Sequence, residues 1–161
     1  MTFSLLDKSR GRVYNACMTE YRFSIPIQIR YGDLDPQWHV NNARFLTFCE
    51  KARLDYLVHL GLFDGVTFTE LGMIVADTHI AYLAPIQPLE KIRVKMRVVR
   101  LGNKSMNMEF IIENEETGEV KSTAEYVMVT YDYNAQKSVP IWPEWRAKIS
   151  AFEGIEPGPI H

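Results

Sequence analysis

The chain has 161 residues, of which 47% are hydrophobic and 12% aromatic, and its formal net charge is −2. This describes one domain of ordinary size with enough apolar mass for a full core, which excludes a disordered chain. It also carries no net basic field to recruit nucleic acid or an anionic membrane surface, and no apolar run approaches the ~20 residues of a membrane-spanning helix.

The two cysteines, Cys17 and Cys49, are too few for a disulfide framework and form no metal-ligand pattern with the histidines. A reducing, cytoplasmic setting without a metal is the resulting expectation. The N-terminus is broken early by charge and lacks the apolar segment of a secretory signal. Met18 stands directly before the first strand pattern. Residues 1–17 therefore read as an extension, either an appendage from an upstream start codon or a helix or arm packed on the domain.

Residues 23–30 alternate through Ile25, Ile27 and Ile29, a strand pattern. Tyr31 to Asn42 is a polar connection with Asp-Pro and Asn-Asn turn chemistry. From Asn42 to Leu60 the period becomes helical. Phe45, Phe48, Cys49, Ala52, Tyr56 and Leu60 form one stripe, with Arg44, Lys51, Arg53 and Asp55 mostly off it. Asn41 or Asn42 suits the N-cap, and Gly61 suits the stop.

Strands follow in succession. Gly72 to Leu83 is the first. Lys91 to Val99 then alternates almost strictly, with Lys91, Arg93, Lys95 and Arg97 on one face and Ile92, Val94, Met96 and Val98 on the other. Gly102-Asn103 makes a turn, and Met106, Met108, Phe110 and Ile112 repeat the alternation. Residues 115–118 supply a hairpin turn before a last long strand from Val120 to Tyr133. Trp142 to Phe152 reads as a short terminal helix, and residues 154–161 as a flexible tail. One helix followed by hairpin-connected strands argues for an α+β domain over residues 18–153, with a curved antiparallel sheet of about five strands covering the helix. Such a sheet has edges to protect, and pairing edge to edge with a second copy would cover one of them.

Arg30 to Glu50 concentrates the polar chemistry at the strand–helix junction. Asp33, Asp35, Gln37, His39, Asn41 and Asn42 all lie there. A helix N-terminus offers unpaired backbone N–H groups and a positive dipole end, suited to an oxyanion. A carboxylate just upstream can activate water or attack an acyl group itself. Asp33 and Asp35 both qualify, since residues two apart share a face of an extended segment. Asp33 also suits a turn-closing role through bonds to backbone.

The pattern Asp33-x-Asp35-x-x-x-His39-Val40-Asn41-Asn42-x-x-Phe45, followed by an aromatic-rich helix, resembles the hotdog-fold thioesterases. It is closest to the 4-hydroxybenzoyl-CoA thioesterase-like branch, which includes bacterial acyl-CoA thioesterases. The resemblance extends over about residues 20–150 in strand order and lengths. It implies a central helix wrapped by the sheet, a homodimer with a continuous sheet or a homotetramer, and active sites at the subunit interface. It further implies hydrolysis of acyl-CoA to a free acid and coenzyme A, with no cofactor beyond the coenzyme A of the substrate. By analogy Asp35 is the catalytic carboxylate, the Asn42 N–H holds the carbonyl, and His39, Gln37 and Asn41 support them. Gln37 departs from the Asn found at that position in plant acyl-carrier thioesterases. A non-catalytic acyl-binding or assembly protein of this fold, a carrier-protein thioesterase and, more weakly, a hydratase are the competing readings.

Four further features have two readings each. The Lys91–Arg97 stripe could bind phosphates of coenzyme A or pair across strands with Glu109 and Glu113. His79 could line the acyl pocket or be a satisfied core histidine. Glu50 could be a second carboxylate at the site or a surface charge on the helix. Met106 and Met108 fit an adaptable acyl pocket or an ordinary core.

Overall fold

The computed structural model describes residues 5–7, 12–14, 21–67 and 71–158. Strands β1 (Leu5–Asp7) and β2 (Arg12–Tyr14) pair with each other as a separate antiparallel unit. The remainder of the expected extension lies outside the described residues. Then come β3 (Phe23–Ile27), a single 3-10 turn (Tyr31–Asp33), α1 (Asn42–His59), β4 (Met73–Tyr82), β5 (Ile92–Leu101), β6 (Ser105–Asn114), β7 (Val120–Asp132), β8 (Lys137–Ser138) and α2 (Pro143–Glu153). The six-stranded sheet runs β3-β5-β6-β7-β4, with β8 added to β7, and every pairing in it is antiparallel. This is the expected α+β architecture, a sheet laid around one long helix.

Strict alternation produces it. Ile92, Val94, Met96 and Val98 of β5 and Met106, Met108, Phe110 and Ile112 of β6 are at most 1% exposed. They meet Phe45, Phe48, Cys49, Ala52, Tyr56 and Leu57 of α1 in one core. Burying each large apolar side chain contributes about 1.5–3 kcal/mol, so a single step of register slip, which would turn this whole set outward, is strongly disfavoured. Met106 and Met108 thus belong to the ordinary core. Asn41 proves to be the N-cap of α1, its side chain accepting the Ala43 N–H at 2.9 Å. Gly61, with φ of 62°, ends the helix.

Arg53 departs from expectation: it is buried, 5% exposed. It stands one turn after Cys49, so its stem lies along the apolar stripe. The guanidinium donates to Met128 Sδ at 3.3 Å and to Glu50 at 3.4 Å. His79 also departs from the core-histidine reading, being only partly buried. β4 has a register shift between Val75 and Asp77. The bulge turns Asp77 and His79 to the outer face, where they line an open depression of about 360 Å³ with Glu109 and Glu125.

The cationic stripe is paired throughout. Lys91 meets Glu116 at 2.9 Å, Lys95 meets Glu113 at 2.7 Å, Arg97 meets Glu109 at 2.6 Å, and Arg93 meets Glu115. Lys95 and Arg97 pair across the strands as expected, while Lys91 and Arg93 pair with the turn that follows β6. The expected flexible tail is anchored over its first residues: Arg146 donates to the Pro157 carbonyl, and Ile155 packs against the core. Residues 159–161 lie outside the described residues.

Candidate active site

The site is built on the connection from β3 to α1. A bridge between Leu34 and Val40 closes Asp35–His39 into a tight loop. Inside it the Asp35 N–H donates to the His39 carbonyl at 2.9 Å, and the Trp38 N–H donates to the Asp35 carbonyl at 3.0 Å. Asp35 Oδ1 accepts the N–H of Gln37 at 2.8 Å and of His39 at 3.3 Å. Asp35 Oδ2 has no partner among the described residues. The carboxylate is therefore oriented by one oxygen and offers the other, on a half-exposed side chain.

Asp33 is held differently. It is 1% exposed, and Arg30 donates to it from its backbone N–H at 2.9 Å and from its guanidinium at 3.3 Å. Arg44 stands 3.5 Å away. Burial by itself would raise this carboxyl, but the hydrogen bonds from Arg30 and the charges of Arg30 and Arg44 outweigh it and hold the group below the ordinary aspartate value. The turn-closing role is present and extended by two arginines, with both oxygens engaged.

Asn41 and Asn42 divide the helix start between them. The Asn41 N–H donates to the Asp33 carbonyl at 2.9 Å, and the Asn41 carbonyl accepts the Arg44 N–H at 2.8 Å. With Ala43 capped by the Asn41 side chain, the Asn42 N–H is left without an acceptor among the described residues. It is an open donor at the positive end of an 18-residue helix. The Asn42 carbonyl accepts from the Tyr82 hydroxyl at 3.1 Å, and the Tyr82 ring packs on Phe45 at 5.1 Å.

Of the expected supporting residues, Asn41 acts through its capping side chain, whereas Gln37 and His39 meet Asp35 through backbone. Gln37 and His39 orient Asp35 by their N–H groups, and the His39 ring has no hydrogen bond among the described residues. Glu50 is an exposed helix charge paired with Arg53. Arg30, Arg44 and Tyr82 escape sequence reasoning. The only signal for the arginines is their spacing around Asp33, and Tyr82 gives none.

The arrangement sets an oriented carboxylate with a free oxygen next in sequence to an open helix N-terminus, the pair of elements that acyl transfer to water requires. Residues 29–149 match the sequence model of the thioesterase-like superfamily. The chain is 31% identical over 123 residues to the long-chain acyl-CoA thioesterase FadM of Escherichia coli (strain K12), covering 76% of this chain and 93% of that protein. A thioesterase of Thermus thermophilus, solved in complex with coenzyme A and Zn, superimposes with a TM-score of 0.73 at 32% identity, over 83% of this chain and 95% of that one. The PA5185 protein of Pseudomonas aeruginosa strain PAO1 superimposes with a TM-score of 0.71 at 29% identity, over 81% and 90%.

Proposed function

The chain belongs to the thioesterase-like superfamily, and from that premise we propose that Asp35 and the amino end of α1 together hydrolyse an acyl-CoA thioester. The observation that carries the reading is the state of the Asp35 carboxylate, with Oδ1 fixed by two N–H groups and Oδ2 unengaged among the described residues. Oδ2 either takes a proton from the attacking water or adds to the carbonyl carbon itself. Both courses put negative charge on the carbonyl oxygen, which the Asn42 N–H and the helix dipole receive. The carbon–sulfur bond then breaks, and coenzyme A departs as a thiolate, a leaving group that needs little protonation. In the first course the free acid forms directly and Asp35 passes its proton to the thiolate; in the second the acyl group is left as an anhydride on Asp35, which water then hydrolyses. The products of both are a free carboxylic acid and coenzyme A. The reaction so drawn uses no metal and no bound cofactor, and a cytoplasmic location belongs to the same proposal.

A second copy of the chain completes the acyl pocket in this proposal. Exposed apolar side chains on and just after the edge strand β4, namely Val75, Tyr82 and Leu83, support it.

The test is thiol release from a panel of acyl-CoAs, with an acyl-carrier-protein thioester as a parallel substrate. Asp35→Asn is expected to lose about 10²–10⁴ of kcat, with an unchanged denaturant midpoint. Wild-type turnover by purified Asp35→Asn would sink the mechanism. Acyl-CoA binding without release by the wild-type protein would mark a binding module instead, and release from the carrier protein alone would redefine the substrate.

A further inference from the structure

A buried lysine at the far end of β7 is tied to the site. β6 and β7 pair with a register shift in which Ile112 faces Ser122 and Glu113 faces Val120, leaving Lys121 as the extra residue. The bulge turns two successive side chains inward, Lys121 at 4% exposure and Ser122 at 0%. A bulge is a device for re-aiming a side chain, and an inward lysine is costly unless its ammonium is fully matched.

The match is complete. Lys121 Nζ lies 3.0 Å from Glu90 and 2.7 Å from Glu119, and it donates to the Pro85 carbonyl at 3.1 Å. Glu90 in turn accepts the Asn114 side chain at 3.1 Å and the Gln87 N–H at 3.1 Å. The Lys121 carbonyl accepts the N–H groups of Leu83 at 2.9 Å and Ala84 at 3.1 Å. Burial would raise the Glu90 carboxyl, but the bonds from Asn114, Lys121 and Gln87 hold it below its ordinary value. The pair is therefore charged at neutral pH. The start of the 83–91 loop is thus held by the Lys121 main chain, and Pro85 and Glu90 within it are held by the Lys121 side chain.

This loop touches the site at one point. Ile86 is fully buried, and its carbonyl accepts the Val40 N–H at 2.9 Å. Val40 is the residue that closes the Asp35 loop through its bridge to Leu34, and it directly precedes the N-cap Asn41. The Ile86 carbonyl thus fixes the one residue that both closes the Asp35 loop and leads into the N-cap of α1.

We propose that Lys121 is a positioning residue, which through Glu90 and the 83–91 loop sets Asp35 and the amino end of α1 in register with each other. The inference rests on the catalytic reading of Asp35. A carboxylate and an oxyanion donor must be placed together to a fraction of an ångström, and a 1 Å error costs about 10²-fold in rate.

The experiment compares Lys121→Met, Lys121→Arg, Glu90→Gln and Asp35→Asn as full chains, measuring kcat and KM by thiol release and the folded fraction by circular dichroism at assay temperature. Lys121→Met and Glu90→Gln are expected to lower kcat per folded molecule about 10–100-fold with KM nearly unchanged. Lys121→Arg, which keeps the charge and donors, is expected to restore part of that loss. A purely structural role would lower the folded fraction and leave kcat per folded molecule at the wild-type value. If Lys121→Met does not fold, Glu90→Gln decides, because it is isosteric: a lowered kcat supports the proposal, and a wild-type kcat overturns it. If Asp35→Asn is inactive while the folded clamp variants keep wild-type kcat, positioning alone fails. If Asp35→Asn is active, the catalytic reading beneath it fails.

Discussion

Trp38 is held in the left-handed region, with φ of 60°, although 59% of its surface is exposed. A bulky residue there meets its own carbonyl, a cost of about 1–2 kcal/mol, and burial of the indole recovers little of it. The loop requires that backbone, because the Trp38 N–H bonds the Asp35 carbonyl while the next N–H, of His39, bonds Asp35 Oδ1. Glycine is the residue such a position favours. The Trp38 ring pairs with that of Tyr31, itself 83% exposed, at 6.3 Å between ring centroids. Trp38→Gly is therefore expected to stabilise the fold by about 1 kcal/mol, read as a raised denaturant midpoint with unchanged slope. A lowered midpoint would show that the indole makes contacts worth more than its strain. Because the backbone bonds persist with glycine, Asp35 stays oriented, and any rise in KM measures what the aromatic pair contributes to substrate contact.

At the scale of elements, regular periodicity is legible in the sequence and its interruptions are not. β5 and β6 can be read residue by residue because charge and apolarity alternate without a break. α1 can be placed because its stripe is continuous and asparagine stands at its start. The bulges in β4 and β7 are invisible to alternation. One carries His79 to the outer face, and the other carries Lys121 into the interior. The motif favours Asp35 over Asp33, but the physical difference comes from Arg30 and Arg44, which surround Asp33 only once the 3-10 turn forms. Arg53 eludes the helical pattern because a long stem reaches the stripe from its margin. The cap of α1 gives an element-level test. Asn41→Ala removes the acceptor for the Ala43 N–H, an expected loss of about 1 kcal/mol of stability. It also frees a second donor beside Asn42 and loosens the helix start. The expected kcat falls more than the lost stability accounts for, as measured on the folded protein well below its melting temperature. An unchanged kcat would show that the first turn of α1 holds its place without the cap.

At the scale of the whole molecule, the two edges of the sheet are not equivalent. β3 contains Pro26, which has no N–H to offer, and spans only Phe23–Ile27. β4 runs Met73–Tyr82 without proline, and it carries Val75 48% exposed and Tyr82 46% exposed on the side that faces α1. A ten-residue edge free of proline, with apolar side chains exposed on both sides of its bulge, can pair with another strand. Tyr82 also bonds the Asn42 carbonyl, so this edge adjoins the helix start that holds the thioester carbonyl in the proposed reaction. A partner seated there would wall the acyl group at the point where one copy leaves it open. Val75→Glu tests this directly. Its side chain is half-exposed on an edge strand, so the isolated fold should change by no more than about 0.5 kcal/mol. Two carboxylates brought together across a paired edge would repel, and like charges in that position disfavour pairing. The expected outcome is a shift to monomer in sedimentation velocity, with thiol release lost and the denaturant midpoint of the monomer nearly that of the wild-type subunit. A monomeric Val75→Glu with full turnover would show that each copy holds a complete site. A variant that remains dimeric would place the interface away from β4.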